Sequence, residues 1–138
     1  MAKKKKKQIK SAQVILPANH PNPPEQNEIE AAWVLARHFQ CTVEFLTPID
    51  DYLRKTADIV MLGSQWEIKC PVGASKYTIQ KQFKRASKQA NSVIIDSRHT
   101  KLKYNQIEKA VIFEFRKRTS IKRVILINKF GQIVEIQK

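Results

Sequence analysis

The sequence predicts a mixed α/β (α+β) fold in which a central mixed β-sheet is flanked by helices. Short apolar, β-rich segments alternate along the chain with three longer segments whose apolar residues recur at helical spacing. The hydrophobic fraction of 42% suits an ordinary globular core, and 138 residues fit one domain better than two. We therefore expect a disordered basic arm over residues 1–12 and a single domain over residues 13–138.

The first half of the chain is predicted to contain four strands and one helix. Ala32, Leu35 and Ala36 recur at helical spacing and indicate the buried face of that helix. Two β-rich segments then follow one another closely enough to form a hairpin. In order, the elements are a strand over 13–16, a proline-rich loop over 17–24, a helix over 25–40, a strand over 41–46, a polar connection over 47–56, and a hairpin of strands 58–62 and 65–70 that turns at Gly63-Ser64.

The second half is predicted to contain two helices and three strands. Ile79, Phe83, Ala86 and Ala90 form an apolar stripe at helical spacing. The nearly continuous apolar stretch from Ser92 to Asp96 predicts a buried strand. The elements are a helix over 75–91, a strand over 92–96, a helix over 104–118, and a hairpin of strands 123–128 and 132–136.

Charge is the strongest global feature of the composition. The net charge is +14, and six lysines lie within the first ten residues, so the body of the chain remains basic without them. A basic body indicates a polyanionic partner, with nucleic acid favoured over a membrane. No apolar run is long enough for a membrane span or a signal peptide, so we expect no membrane partner and a cytoplasmic location. Cysteines and histidines are scattered, which argues against a zinc site.

The candidate catalytic residues are concentrated in the hairpin of residues 58–70. By strand alternation, Trp66, Ile68 and Cys70 should point into the core, and Glu67 and Lys69 toward solvent on the other face. Asp58 lies on the partner strand, nine residues before Glu67, which brings two carboxylates and one ammonium together. Carboxylates suit Mg²⁺ or Mn²⁺, and a neighbouring lysine can orient water or stabilise developing charge. Asp58 and Glu67 are therefore the predicted metal ligands, and Lys69 is a predicted catalytic residue.

Two alternatives remain open at this hairpin and beside it. The Glu67–Lys69 pair could be an ordinary ion pair on a solvated sheet face, which would contribute little stability. Glu28, on the first helix, could assist the site as a further ligand or by orienting a water. It could equally be a boundary residue that the helix dipole favours. Glu30, on another face of that helix, is the fallback for the assisting role.

These residues resemble a known superfamily. Asp58 followed by Glu67-Ile68-Lys69 is similar to the D…ExK signature of PD-(D/E)XK nucleases, although Ala57 stands where the signature has proline. The stretch from Trp66 to Gly73, with the residues of the following helix through Ala90, resembles the C-terminal tRNase domains of contact-dependent growth-inhibition toxins. The resemblance implies a restriction-endonuclease-like αβββαβ core, a divalent metal, a bacterial or mobile-element origin, and a possible acidic immunity protein.

The leading expectation is a metal-dependent endonuclease acting on RNA, with tRNA favoured by the resemblance. The helix over 75–91 should place its N-terminus near the metal site and bind phosphates along its basic face. Its predicted nucleic-acid contacts are Lys76, Lys81, Gln82, Lys84, Arg85 and Lys88. The alternatives are a DNA nuclease or a Holliday-junction resolvase-like enzyme, since small basic resolvases share the fold and often form homodimers, and a non-catalytic nucleic-acid-binding protein. The sequence has no stripe of aromatics that predicts stacking of unpaired bases.

Overall fold

The computed structural model describes residues 11–17, 23–47 and 57–138. Residues 1–10 of the predicted basic arm, residues 18–22 of the proline-rich loop and residues 48–56 of the polar connection lie outside these ranges. Within the described ranges, no helix is long and apolar enough to cross a membrane.

The described residues form a seven-stranded mixed sheet whose strands stand in sequence order. The first two strands are parallel, the second to the fourth are antiparallel, the fourth to the sixth are parallel, and the last pair is antiparallel. The strands are β1 (Gln13–Ile15), β2 (Thr42–Phe45), β3 (Ile59–Met61), β4 (Ser64–Lys69), β5 (Ser92–Asp96), β6 (Arg123–Ile127) and β7 (Ile133–Ile136).

Three helices cover the two faces of the sheet: α1 (Gln26–Phe39), α2 (Thr78–Ala86) and α3 (Tyr104–Lys117). The buried face of α1, including Leu35, packs with Ile68 and Ile94 in one hydrophobic cluster. The buried faces of α2 and α3 pack with Val93 and Ile95 in a second cluster. Because neighbouring residues of β5 enter different clusters, the two clusters lie on opposite faces of the sheet. The predicted mixed sheet flanked by helices is therefore confirmed, in the predicted order of strands and helices.

Two predicted boundaries differ from the structure. Helix α2 spans Thr78–Ala86, not 75–91, because its last turn tightens: the amides of Lys88 and Gln89 bond to the third carbonyl back in the chain. The β3–β4 turn falls at Leu62-Gly63, not Gly63-Ser64, and Met61 pairs directly with Ser64. Both turn residues have positive φ, 52° and 79°, as a two-residue hairpin turn of type I′ requires.

Candidate active site

The side chain of Asp58 is held against β4 by backbone hydrogen bonds. Asp58 directly precedes β3, and its amide donates to the Trp66 carbonyl at 3.1 Å. Its carboxylate oxygen Oδ2 accepts a hydrogen bond from the Ile68 amide at 2.8 Å. The predicted approach of Asp58 to the Glu67–Lys69 strand is thus present, and a strand-to-strand hydrogen bond orients the carboxylate.

Glu67 and Lys69 lie side by side on β4, with the Lys69 ammonium 3.0 Å from Glu67 Oε2. The prediction that both face solvent is wrong for Glu67, which is only 2% exposed. Glu67 pairs in register with Val93, whose side chain belongs to the cluster under α2 and α3. Helices cover both faces of this central strand. The alternation of side chains along β4 therefore decides which helical layer Glu67 faces, and neither face is exposed to solvent.

Burial gives Glu67 unusual electrostatics. Its oxygen Oε1 is buried and has no hydrogen-bond partner among the residues that the structure describes. Burial, and after it the negative charge of Asp58, raise the pKa of Glu67 to about 7, although Lys69 opposes the shift. Burial also raises the pKa of Asp58, against the opposing effects of the Ile68 amide and Lys69. The two carboxyl groups therefore form a desolvated pair that favours a nearby positive charge.

The cationic face of α2 continues the site from Lys69. The Lys69 ammonium donates to Gln89 Oε1 at 2.9 Å. A pocket of about 470 Å³ opens here, and the described residues in its lining are five cationic side chains and an amide, with no acid among them: Lys69, Lys81, Lys84, Arg85, Lys88 and Gln89. Four of the predicted nucleic-acid-binding residues, three on α2 and Lys88 just after it, are thus gathered around the ammonium of the predicted catalytic lysine.

Other predictions about α2 differ from the structure. The residue that reaches Lys69 is Gln89, in the turn after the C-terminus of α2, and not the helix N-terminus as expected. Helix α2 begins at Thr78 and ends at Ala86, so its N-terminus lies roughly 12 Å from the end of the helix beside which Gln89 makes this contact. Lys76 and Gln82 do not line the pocket, and the Lys76 ammonium lies 5.2 Å from the centre of the Tyr77 ring.

The carboxylate of Glu28 interacts electrostatically with Asp58 and Lys69. It is half-buried in the first turn of α1, where its Oε1 accepts a hydrogen bond from the Glu25 amide at 3.2 Å. Burial raises the pKa of Glu28, Asp58 raises it further, and Lys69 lowers it. Glu30 is exposed and accepts a hydrogen bond from Gln26, and its charge acts on Arg98. Of the two predicted candidates for an assisting carboxylate, Glu28 is the one whose field combines with those of Asp58 and Lys69.

A second charged group beside the site was missed by the sequence analysis. Asp96 ends β5, is 0% exposed, and binds both Arg98 Nε at 2.9 Å and Arg98 Nη2 at 2.8 Å. The thiol of Cys70 lies 3.9 Å from the same carboxylate, and burial raises the pKa of that thiol to about 12. Local sequence carries no signal for this arrangement, because an acid at the end of an apolar strand is equally often a surface residue.

The residues at the site fit a hard divalent cation. Two carboxylates are close together, one has a buried oxygen without a partner, and desolvation opposes their negative charge. Among the described residues, no group of three or more His, Cys, Asp or Glu side chains is poised to hold a metal. One or two carboxylates with water and substrate phosphate are nevertheless the usual donor set for Mg²⁺, so Asp58 and Glu67 are the residues that would hold it.

Comparison with known proteins identifies the family to which this chain belongs. The family model "Contact-dependent growth inhibition CdiA C-terminal domain" matches residues 55–133, so the chain belongs to this family of CdiA C-terminal toxin domains.

A solved structure supports the fold across nearly the whole chain. It is the "CdiA-CT/CdiI toxin and immunity complex from Burkholderia pseudomallei", which is similar with a TM-score of 0.64 and 18% sequence identity over 91% of this chain and 99% of that chain. No curated protein matches this sequence.

Proposed function

We propose that this toxin domain is a metal-dependent endonuclease of the PD-(D/E)XK type that hydrolyses phosphodiester bonds in RNA. The observation that carries the proposal is the group formed by Asp58, Glu67 and Lys69, with its buried unpartnered Glu67 oxygen, beside a pocket lined by cations. The αβββαβ order of α1 through β5 agrees with that superfamily.

Each residue of the site has a distinct role in the proposed reaction. Asp58 and Glu67 would hold Mg²⁺ or Mn²⁺, which when bound would polarise a phosphoryl oxygen and make nearby water more acidic. Lys69 is held between Glu67 and Gln89, which aims its ammonium at the pocket and lets it stabilise charge that develops on the phosphate. Glu28 adds negative potential next to Asp58 and assists in orienting water.

The pocket beyond Lys69 supplies the substrate contacts. Lys81, Lys84, Arg85 and Lys88 present positive charge with no acid among them, which suits phosphates on either side of the cleaved bond. Such contacts read charge and shape and accept RNA or DNA alike. The preference for tRNA follows from the resemblance of residues 66–90 to tRNase domains of the toxin family.

We also propose an acidic immunity protein as a partner of this chain. The chain carries a net charge of +14, belongs to a toxin-domain family, and has the fold of a toxin solved together with an immunity protein. Such a partner should bind more weakly as salt rises and should abolish cleavage while bound.

One assay tests the proposed activity and its substrate together. The purified protein is incubated with total tRNA, duplex DNA and a four-way DNA junction, with Mn²⁺, with Mg²⁺ or with a chelator. We expect cleavage of tRNA at discrete positions that depends on the metal.

Each other outcome contradicts a separate part of the proposal. Cleavage of duplex or junction DNA with intact tRNA would make the protein a DNA nuclease or a resolvase-like enzyme. Cleavage that persists in chelator would remove the metal from the mechanism. Binding without cleavage of any substrate under all conditions would leave a non-catalytic nucleic-acid-binding protein.

A further inference from the structure

Two exposed aromatic rings form a pair away from the candidate active site. Tyr104, the first residue of α3, is 55% exposed, and Phe130, in the β6–β7 turn, is 73% exposed. Their ring centres are 5.9 Å apart and inclined at 62°. The pair joins two elements that are distant in sequence, and the hydrophobic core does not require it, because most of the Phe130 ring remains in solvent.

The pair lies at the same edge of the sheet as Lys69. Strands β4, β5 and β6 are parallel, so their carboxyl ends share one edge. Lys69 ends β4, the 97–103 loop leads from β5 to Tyr104, and Phe130 lies in the turn after β6. Since neighbouring strands are about 4.8 Å apart, β6 lies roughly 10 Å from β4.

Hydrogen bonds fix the loops at this edge relative to one another. The hydroxyl of Thr100 donates to the Gly73 carbonyl at 2.6 Å, and the Lys101 amide donates to the same carbonyl at 3.3 Å. The Lys129 ammonium donates to the Thr100 carbonyl. The segment that follows β4 is thereby tied through Thr100 to the turn that carries Phe130.

The surroundings of the pair are basic. Residues 99–103 and 128–132 contain Lys101, Lys103 and Lys129 and no Asp or Glu, whereas Arg98, just before them, is paired with the buried Asp96. Lys101 and Lys103 are exposed, so a polyanion can reach them. Exposed rings set among cations are the arrangement that binds unpaired nucleotides, because the rings stack on bases while the cations neutralise phosphates.

We infer that Tyr104 and Phe130 form a stacking site for an unpaired base of the nucleic acid, an inference that rests on the proposed function for the nature of the ligand. The site selects substrates in which a loop or end lies close to the cleaved bond, since α2 contacts backbone alone and does not distinguish paired from unpaired segments. This differs from the expectation, drawn from the sequence, of no aromatic stacking surface.

Binding measurements without metal test this inference independently of cleavage. The full chain, in chelator, is titrated into a fluorescent RNA hairpin with an unpaired loop and into a blunt duplex with the same stem. We expect the double variant Tyr104→Ala/Phe130→Ala to weaken hairpin binding by about tenfold or more and to leave duplex binding unchanged. Tyr104→Phe and Phe130→Tyr keep the rings and should keep the wild-type affinity.

Phe113→Ala provides a matched control. Phe113 is 61% exposed and lies beside Lys117 on α3, nine residues after Tyr104. We expect this variant to bind both RNAs as the wild type does.

Three outcomes would overturn the inference. They are unchanged hairpin binding by the double alanine variant, an equal loss for hairpin and duplex, and failure of the wild type to bind either RNA. The test also separates the two proposals. If hairpin binding depends on the two rings but no RNA is cleaved, the stacking site is supported and the proposed activity is contradicted. If RNA is cleaved but hairpin binding does not depend on the rings, the proposed activity is supported and the stacking site is contradicted.

Discussion

The burial of the Glu67 carboxylate costs stability, and the same carboxylate has a proposed role in catalysis. One isosteric substitution tests both. Glu67→Gln removes a proposed metal ligand, so cleavage should fall by about 100-fold or more. The same change removes a buried charge, so the metal-free variant should be at least as stable as the wild type at pH 8. Lys69→Ala should reduce cleavage to a similar degree. Rates and chemical denaturation measure both effects, with the exposed Glu44→Gln as the control; full activity of either active-site variant contradicts the assignment.

Arg98 is expected to matter for stability because its partner is buried. Arg98→Ala would leave the fully buried Asp96 carboxylate without its two-pronged ion pair. Since Arg98 itself is 23% exposed, the loss should lie at the lower end for such pairs, about 3 kcal/mol of unfolding free energy. Urea denaturation measures it, and Arg37→Ala on the exposed side of α1 is the control. A change no larger than that of the control would show that water reaches Asp96 freely.

At the scale of single elements, the β3–β4 turn carries local strain that can be relieved. Leu62 has a φ of 52° and is 61% exposed, although type I′ turns favour Asn before Gly. Leu62→Asn should therefore raise the unfolding free energy by about 0.5 to 1 kcal/mol, which thermal denaturation can detect. Val72→Asn, an equally exposed position with no positive φ, should bring no gain. Destabilisation by Leu62→Asn would mean that the leucine side chain makes a needed contact.

The basic face of α2 should determine how nucleic-acid binding responds to salt. Lys84→Gln with Lys88→Gln removes two charges from the pocket. If both contact phosphates, the slope of log affinity against log salt should fall by about 0.7 to 0.9 for each. Lys109→Gln with Arg116→Gln removes two exposed charges from α3 and is the matched control. Equal slopes for the two double variants would show that the pocket does not hold the backbone.

At the scale of the whole molecule, the buried carboxyl pair links stability to pH and to metal. The folded-state pKa of Glu67, about 7, exceeds its ordinary value of 4.5, so the folded protein retains a proton that the unfolded chain has released. The contribution of Glu67 to stability is therefore fully present below pH 4.5 and is lost as pH rises through 7, by on the order of 3 kcal/mol.

Unfolding measured between pH 5 and 8 in chelator checks this loss. Millimolar Mn²⁺ should restore stability at the upper end, because it binds only the folded site. Glu67→Gln should flatten most of the pH dependence. A stability that is independent of pH and of metal would mean that water or rearrangement already neutralises the pair.

The elements, their order, and the proximity of Asp58 to Glu67 and Lys69 could all be predicted from the amino-acid sequence. These depend on local properties: helical and strand periodicity, turn residues, and the short loop of one hairpin. The family resemblance could also be read locally, since its residues lie within one stretch from Trp66 to Ala90, and the family match confirms it at the level of the toxin domain.

The environment of each functional side chain, in contrast, depends on tertiary packing and could not be predicted from the sequence. Glu67 is buried because α2 and α3 pack over its face, Lys69 meets Gln89 twenty residues later, and Asp96 is enclosed where β5 ends beside β4. The pairing of Tyr104 with Phe130 likewise arises because parallel strands bring separate loops to one edge. Alternation and periodicity report the direction of a side chain relative to its own element, whereas burial, partners and shared edges depend on which distant elements pack against it.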